Sequence, residues 1–196
     1  MRVLRVLSAA AVAVTVSTFL PATAHGQVFL GLGGGGTFPV GNLDHTYNTG
    51  YNILATLGTH IPTTPFGFRV DGMFNELPDK PDRFDGTSFN EQIWTANANL
   101  VASIIPGGPV VPYLIGGAGY YNSSFRVSTS GGTIFSSGST HINDFGLNGG
   151  GGLRVGFGGI GLFAEARYHY IFSNHISNPS HAYEMIPITV GVRFGG

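Results

Sequence analysis

The stretch FAEARYHYIF, at residues 163–172, decides the fold of this chain. Its even positions are all apolar or aromatic, whereas its odd positions include Glu165, Arg167 and His169. An alternation with a period of two is typical of a β-strand whose two faces meet different surroundings. The sequence therefore predicts a strand with one apolar and one polar face.

Seven further segments extend this pattern to a prediction of eight strands. Residues 66–75 and 186–194 alternate as clearly as the first stretch, and five other segments follow the pattern less regularly. Those five are residues 28–38, 51–61, 92–105, 110–123 and 141–157. The facing of residues 110–123 stays open, because Tyr113 and Tyr120 fall on opposite faces.

The connections between the predicted strands alternate in length. The short ones are rich in turn residues: PTTP at 62–65, PGGP at 106–109 and GGI at 158–160. Short periplasmic turns, long external loops and an even number of strands are typical of outer-membrane barrels. The sequence therefore predicts an all-β fold, an eight-stranded antiparallel up-and-down transmembrane β-barrel. The long connections are polar and cover residues 39–50, 77–90, 124–140 and 173–183.

The composition separates this chain from soluble proteins and from helical membrane proteins. Charged residues make up 10% of the sequence, compared with about a quarter in soluble domains. Beyond residue 27 no segment reaches the ~20 apolar residues of a spanning helix, because Pro106 and Pro109 interrupt the best candidate. Since there is no cysteine, the fold has neither a disulfide nor a thiolate metal site.

Residues 1–26 are predicted to be a secretory signal peptide. Arg2 and Arg5 give the positive start, residues 6–20 the apolar stretch, and ATA at 22–24 the small-residue cleavage site. Cleavage after residue 24 and cleavage after residue 26 both fit, and the barrel domain then occupies residues 27–196. Without the two arginines the nine basic residues fall to seven against ten acidic ones, a net charge of −3 with neutral histidines. This charge gives no electrostatic footprint for nucleic acid.

Three segments resemble the OmpA-like or OmpX-like outer-membrane β-barrel superfamily: PYLIGGAGY at 112–120, FAEARY at 163–168 and PITVGVRF at 187–194. The resemblance covers essentially the whole mature chain and implies a monomeric barrel in the outer membrane. It implies outer-membrane lipid as a partner and, during export, the barrel-assembly machinery and periplasmic chaperones. The family usually ends on an aromatic residue, whereas two glycines follow Phe194 here.

Six charged residues fall on faces that are predicted to point inward, with a formal sum of +2. Eight strands enclose a space that side chains can fill, and charges taken out of water need partners. We therefore expect one paired network that plugs the lumen. The barrel would then act without enzymatic activity, through its four external loops, in envelope integrity, adhesion or surface interaction. The six residues are Arg69, Asp71, Arg154, Glu165, Arg167 and Arg193.

The last long loop holds a candidate catalytic set. A His-x-Ser pair with a nearby acid has the groups that activate a serine hydroxyl. The pattern is similar to the active-site stretch of outer-membrane lipid A 3-O-deacylases, which are also eight-stranded barrels. The resemblance implies Ser177 as nucleophile, His175 as base and Glu184 as orienting acid; the alternative is an ordinary polar loop. A soluble, lipocalin-like ligand carrier is a further alternative, against which the inward charges argue.

No cofactor and no metal are expected. The glycine run at 31–36 has the spacing of a dinucleotide-binding loop, but no helix follows it. The histidines show no metal-ligand spacing. Six aromatic side chains are expected at strand ends or on the lipid face, where they would form girdles. They are Trp94, Tyr113, Tyr168, Tyr170, Phe172 and Phe194.

Overall fold

The computed structural model describes residues 28–41, 43–80, 87–105, 108–129, 142–172 and 182–195, with backbone only at 87–89 and 125–129. The predicted signal peptide lies outside the described residues. The described chain forms eight strands: β1 (Val28–Val40), β2 (Gly50–His60), β3 (Phe66–Pro78), β4 (Thr87–Ser103), β5 (Val110–Thr129), β6 (Ile142–Phe157), β7 (Ile160–Phe172) and β8 (Tyr183–Gly195).

The strands close into a barrel in sequence order. Each strand pairs antiparallel with its neighbours, and β8 pairs with β1 from Phe29↔Gly195 to Val40↔Glu184. This confirms the predicted eight-stranded up-and-down barrel. Closure gives every strand two partners, so that no sheet edge is left to be covered.

The two faces of each strand differ as the alternation predicts. Burial along β7 alternates at every residue, with Glu165, Arg167 and His169 inside and Tyr168 and Tyr170 outside. An outer wall of exposed apolar side chains is suited to lipid and argues against the soluble carrier. Its members include Leu30, Leu32, Ile53, Phe68, Val70, Trp94, Leu114, Phe145, Leu162 and Val190.

The same alternation settles the facing of β5. Odd-numbered residues point inward, so Tyr113 is 4% exposed, whereas Tyr120 is 42% exposed on the outer wall. Tyr113 therefore lies in the lumen, and its predicted place in an outer aromatic girdle is wrong. The other five predicted girdle residues are on the outer wall: Trp94, Tyr168, Tyr170, Phe172 and Phe194.

The barrel has two unlike ends. We call the end with the short connections the turn end; it also holds the start of β1 and the end of β8. Gly158 and Gly159 join β6 to β7 there with φ of 57° and 92°, values that a two-residue hairpin of primed type requires. The opposite end, which carries the long connections, is the loop end.

No helix among the described residues is both long and apolar enough to cross a bilayer.

At the loop end two strands are longer than predicted. β4 begins at Thr87, not at residue 92, and β5 continues to Thr129, not to residue 123. The two strands stay paired over this length, from Thr87↔Thr129 to Ser103↔Tyr113. Backbone pairing continues where the apolar alternation fades, because the hydrogen bonds of a ladder do not depend on which face is apolar.

Candidate functional site

A charge network spans the lumen between β3 and β7. Arg69 on β3 donates to both oxygens of Glu165 on β7, from Nη1 to Oε2 at 2.8 Å and from Nη2 to Oε1 at 2.8 Å. Arg69 Nε also lies 2.9 Å from Asp71 Oδ1. Arg167 completes the set, with Nη1 2.8 Å from Asp71 Oδ2 and Nε 3.1 Å from Glu165 Oε1. The two arginines and two carboxylates form a formally neutral group, which we call the central network.

Neutral side chains from two more strands join the central network. Asn99 on β4 donates from Nδ2 to Asp71 Oδ2 at 2.8 Å, and the Tyr113 hydroxyl on β5 donates to Glu165 Oε2 at 2.7 Å. All six side chains are at most 5% exposed. Buried charges need such partners, because an uncompensated charge in the interior is costly. Asn99 was not among the predicted site residues: its polar neighbours at alternate positions, Thr95 and Asn97, indicate an inward face, but its bond to Asp71 is visible only in the structure.

The remaining two predicted members, Arg154 and Arg193, do not belong to the central network. Both lie near the turn end with His60: Arg154 Nη1 is 2.5 Å and Arg193 Nη1 3.4 Å from His60 Nε2. Arg154 Nη2 donates to Ser103 Oγ at 3.0 Å, and the Arg193 guanidinium stacks over the Phe29 ring at 4.2 Å. The predicted single network of six is therefore two separate clusters. Alternation fixes the face of a residue but not its depth along the barrel axis.

A layer of hydrogen-bonded polar side chains, the polar layer, includes Tyr121 and His169. The Tyr121 hydroxyl is 3.0 Å from Asn97 Oδ1 and 2.8 Å from His169 Nδ1. Because the hydroxyl has one proton, it donates to the acceptor-only Asn97 Oδ1 and accepts from the Nδ1–H of His169. Asn148 Nδ2 donates to the same Asn97 oxygen at 3.3 Å. His169 is therefore a hydrogen-bonded interior side chain.

The first long connection folds into the loop-end mouth of the barrel. The Tyr47 amide donates to the Leu43 carbonyl at 2.9 Å, which makes one helical turn. Leu43 and Tyr47 pack into a buried apolar cluster, the loop-end cap, with side chains from five strands. Burial and the nearby Glu91 carboxylate raise the pKa of the Tyr47 hydroxyl above its ordinary value. The other members of the loop-end cap are Leu77, Ile93, Tyr121, Ile171 and Met185.

The candidate catalytic set lies mostly outside the described residues. His175 and Ser177 belong to the undescribed range 173–181, whereas Glu184 lies on β8. The Glu184 carboxylate interacts with the Tyr168 hydroxyl. The structure thus places one of the three residues, in contact with a tyrosine of the outer wall.

A closed eight-stranded barrel with an apolar outer wall and a charged interior defines a transmembrane β-barrel protein. The outer membrane protein beta-barrel domain family matches residues 6–194. The chain belongs to this family, as the resemblance at 112–120, 163–168 and 187–194 implied. None of the curated proteins matches the chain at the sequence level.

Solved structures with the same fold are similar over nearly their whole length. Neisserial surface protein A has 18% identity and a TM-score of 0.63, covering 85% of this chain and 96% of that one. Ail of Yersinia pestis, the attachment invasion locus protein, solved with the heparin analogue sucrose octasulfate, has 14% identity and a TM-score of 0.55, covering 87% and 99%. A major outer membrane protein from Thermus thermophilus has 14% identity and a TM-score of 0.58, covering 88% and 100%. These identities establish the fold alone.

Proposed function

We propose that this protein is a non-enzymatic surface-interaction protein of the outer membrane, in which a plugged barrel holds the external connections at the cell surface. The observation that carries the proposal is the central network, which ties β3, β4, β5 and β7 together across the lumen. An eight-stranded barrel is just wide enough for side chains to fill it. The loop-end cap adds a second, apolar obstruction in series. A barrel filled in this way leaves little room for ions or solutes to pass and gives the external connections a fixed attachment to the membrane.

The length of two strands supports a role outside the membrane. A tilted strand needs about 9–11 residues to cross a bilayer, whereas β4 has 17 residues and β5 has 20. Their loop-end parts remain paired up to Thr87↔Thr129. The excess length raises the adjoining connections above the membrane surface, where they can meet a partner.

The names of two structural neighbours favour surface contact as the role of these connections. One neighbour is a surface protein, and the other is an attachment invasion locus protein bound to a heparin analogue. We therefore place adhesion or surface interaction ahead of envelope integrity.

Shortening the long connections tests this proposal. One variant replaces residues 130–141 by an Asn-Gly turn, a strong hairpin former, and a control replaces residues 62–65 at the turn end in the same way. Assembly of both is checked by the change of gel mobility on boiling, and adherence of cells that carry each variant is compared with that of cells without the protein.

We expect the 130–141 variant to lose adherence and the control to keep it. Full adherence after all long connections have been shortened would refute the proposal, and a defect only in detergent resistance would favour envelope integrity.

The non-enzymatic part of the proposal has its own test. We expect lipid A from cells carrying the Ser177→Ala variant to have the same acylation as lipid A from cells carrying the unchanged protein. Mass spectrometry of extracted lipid A measures this directly. Release of a 3-O-acyl chain that depends on Ser177 would instead establish the esterase alternative with His175 and Glu184.

A further inference from the structure

The positive charge of the lumen is concentrated at one end. The central network pairs two arginines with two carboxylates and is formally neutral. Of the six inward-facing charges that the sequence predicts, the surplus of +2 therefore belongs to Arg154 and Arg193 at the turn end, whereas the other buried acids, Glu91 and Asp144, lie toward the loop end. Among the described residues no carboxylate lies within 4.0 Å of either guanidinium.

The two guanidiniums converge on one neutral atom. Their Nη1 atoms are 2.5 Å and 3.4 Å from His60 Nε2, so they are at most 5.9 Å apart, the sum of those distances. Guanidinium groups only donate hydrogen bonds, so His60 Nε2 is the acceptor and the ring is neutral with its proton on Nδ1. A neutral acceptor orients both cations without offsetting their charge.

A cavity of about 240 Å³ lies against these side chains, and its lining includes His60, Arg154, Arg193 and residues 156–161. A single water needs only about 10–15 Å³ of such space. A Cβ at Gly161 would lie 2.8 Å from Arg193 Cγ, so the glycine leaves room for the arginine along the wall. The two arginines are partly exposed to this space.

We propose that the turn-end pair, Arg154 and Arg193, binds a phosphate group, either inorganic phosphate or the headgroup phosphate of a phospholipid. The planar forks of two guanidiniums suit the oxygens of a phosphate, and the bonds are charge-assisted. The turn end of an outer-membrane barrel is its periplasmic end, where inner-leaflet headgroups and free anions both have access. A bound phosphate supplies the negative charge that the described residues of this end do not.

The first experiment measures phosphate binding to the full chain, refolded in a phosphate-free, non-ionic detergent. Inorganic phosphate is titrated while the urea midpoint of unfolding is followed, and sodium chloride of equal ionic strength controls for screening. We expect phosphate to raise the midpoint in a saturable way and chloride to leave it unchanged. Equal shifts with both salts would show screening alone and overturn the proposal.

Variants assign the effect to the arginine pair. Arg154→Gln/Arg193→Gln is expected to weaken phosphate affinity about tenfold or more, since the double variant loses the charge-assisted hydrogen bonds of both guanidiniums. The control Lys80→Gln removes an exposed cation at the loop end and should keep the phosphate response. Arg193→Lys, which keeps the charge but loses the fork, should bind with intermediate affinity and serves if the double variant does not fold. An unchanged response in the arginine variants would overturn the proposal.

A second arm separates the two sources of phosphate. Native mass spectrometry in phosphate-free buffer counts phosphatidylglycerol retained by the unchanged protein and by the double variant. Arginine-dependent retention of the lipid assigns the site to a headgroup. Arginine-dependent response to inorganic phosphate without lipid retention assigns it to a free anion, and the lack of both refutes the site.

Discussion

The Glu165 carboxylate accepts four contacts from donors inside the barrel. Arg69 contributes two bonds of 2.8 Å, Arg167 a contact of 3.1 Å and Tyr113 a bond of 2.7 Å. Its partners come from β3, β5 and β7, so this one carboxylate links distant parts of the wall. Removing its charge leaves two buried guanidiniums with Asp71 as their remaining anion.

The first prediction concerns this carboxylate. We expect Glu165→Gln to lower the free energy of unfolding by about 3 to 5 kcal/mol, the typical cost of breaking a buried pair. The matched control is Asp44→Asn, whose side chain is 63% exposed and 3.8 Å from Lys80, and whose loss should cost about 0 to 1 kcal/mol. Urea titrations from lipid vesicles measure both. Equal midpoints and slopes would show that Glu165 is not part of a buried network.

The second prediction concerns another buried acid, Glu91, for which we expect the opposite effect on stability. Glu91 is fully buried at the loop end, with the Tyr47 and Ser123 hydroxyls as its polar neighbours. No cation with a described side chain lies within 4.0 Å of it. Burial of an unpaired charge is unfavourable, so we expect Glu91→Gln to raise the free energy of unfolding by about 1 kcal/mol at neutral pH. A loss comparable with that of Glu165→Gln would mean that Glu91 has a charged partner.

At the scale of the strands, closure of the barrel depends on glycine where β1 meets β8. A Cβ at Gly35 would lie 1.9 Å from the Ile188 carbonyl oxygen, which is shorter than any van der Waals contact. The neighbouring strand must therefore move if residue 35 carries a side chain. The glycine-rich run at 31–36 has a structural role in the ladder that closes the barrel.

The third prediction follows from this close approach. We expect Gly35→Ala to destabilise the barrel by about 1 to 3 kcal/mol through overpacking, and to slow folding into vesicles as monitored by gel mobility. Gly72→Ala is the control, because a Cβ there meets nothing within 4 Å and points to the outer wall. If both variants fold and unfold alike, the β1–β8 pairing is looser than the register indicates.

The fourth prediction tests facing and depth together. Val190 on β8 and Val110 at the start of β5 are both exposed on the outer wall, at 60% and 47%. A lysine at the bilayer midplane costs about 2–4 kcal/mol, and one near an interface about 0–1 kcal/mol. We therefore expect Val190→Lys to impair insertion or stability far more than Val110→Lys in vesicle unfolding experiments. A larger penalty at residue 110 would contradict a bilayer midplane near the middle of β8.

Over the whole molecule, the side chains inside the barrel form four layers between the loop end and the turn end. The loop-end cap, the polar layer of Tyr121 and His169, the central network and the turn-end pair occupy successive depths. Among the described residues the turn-end pair borders a cavity of about 240 Å³, whereas the cavity between this pair and the central network measures about 20 Å³. Hydrogen bonds and ion pairs connect the side chains of the middle layers across the lumen.

The fifth prediction follows from these contacts across the lumen. Purified protein in planar bilayers should show no large, stable, porin-like current, because eight strands leave no aqueous channel once side chains fill the lumen. The measurement requires a homogeneous sample and a known porin as a positive control. Reproducible nanosiemens-scale openings would refute the plugged barrel and, with it, the anchor role proposed for the protein.

The number of strands, their order and the facing of the clearly alternating strands follow from the sequence alone, whereas the facing of residues 110–123 does not. The backbone sends successive side chains to opposite sides of a strand, so the alternation at 163–172 alone places Glu165, Arg167 and His169 inside. Turn residues such as the glycines at 158 and 159 mark the short connections for an equally local reason. These features are properties of a single strand or turn and need no partner to be recognised.

Which of the inward charges meet is visible only in the folded barrel. Depth along the axis depends on the register of every strand pair around the closed barrel, and the sequence pattern repeats every two residues without marking that depth. This is why Arg154 and Arg193, predicted as members of one network, lie apart from Arg69 and Glu165. Folding of Leu43 and Tyr47 into the loop-end mouth is equally invisible in the sequence, because their burial depends on apolar side chains that five other strands bring there.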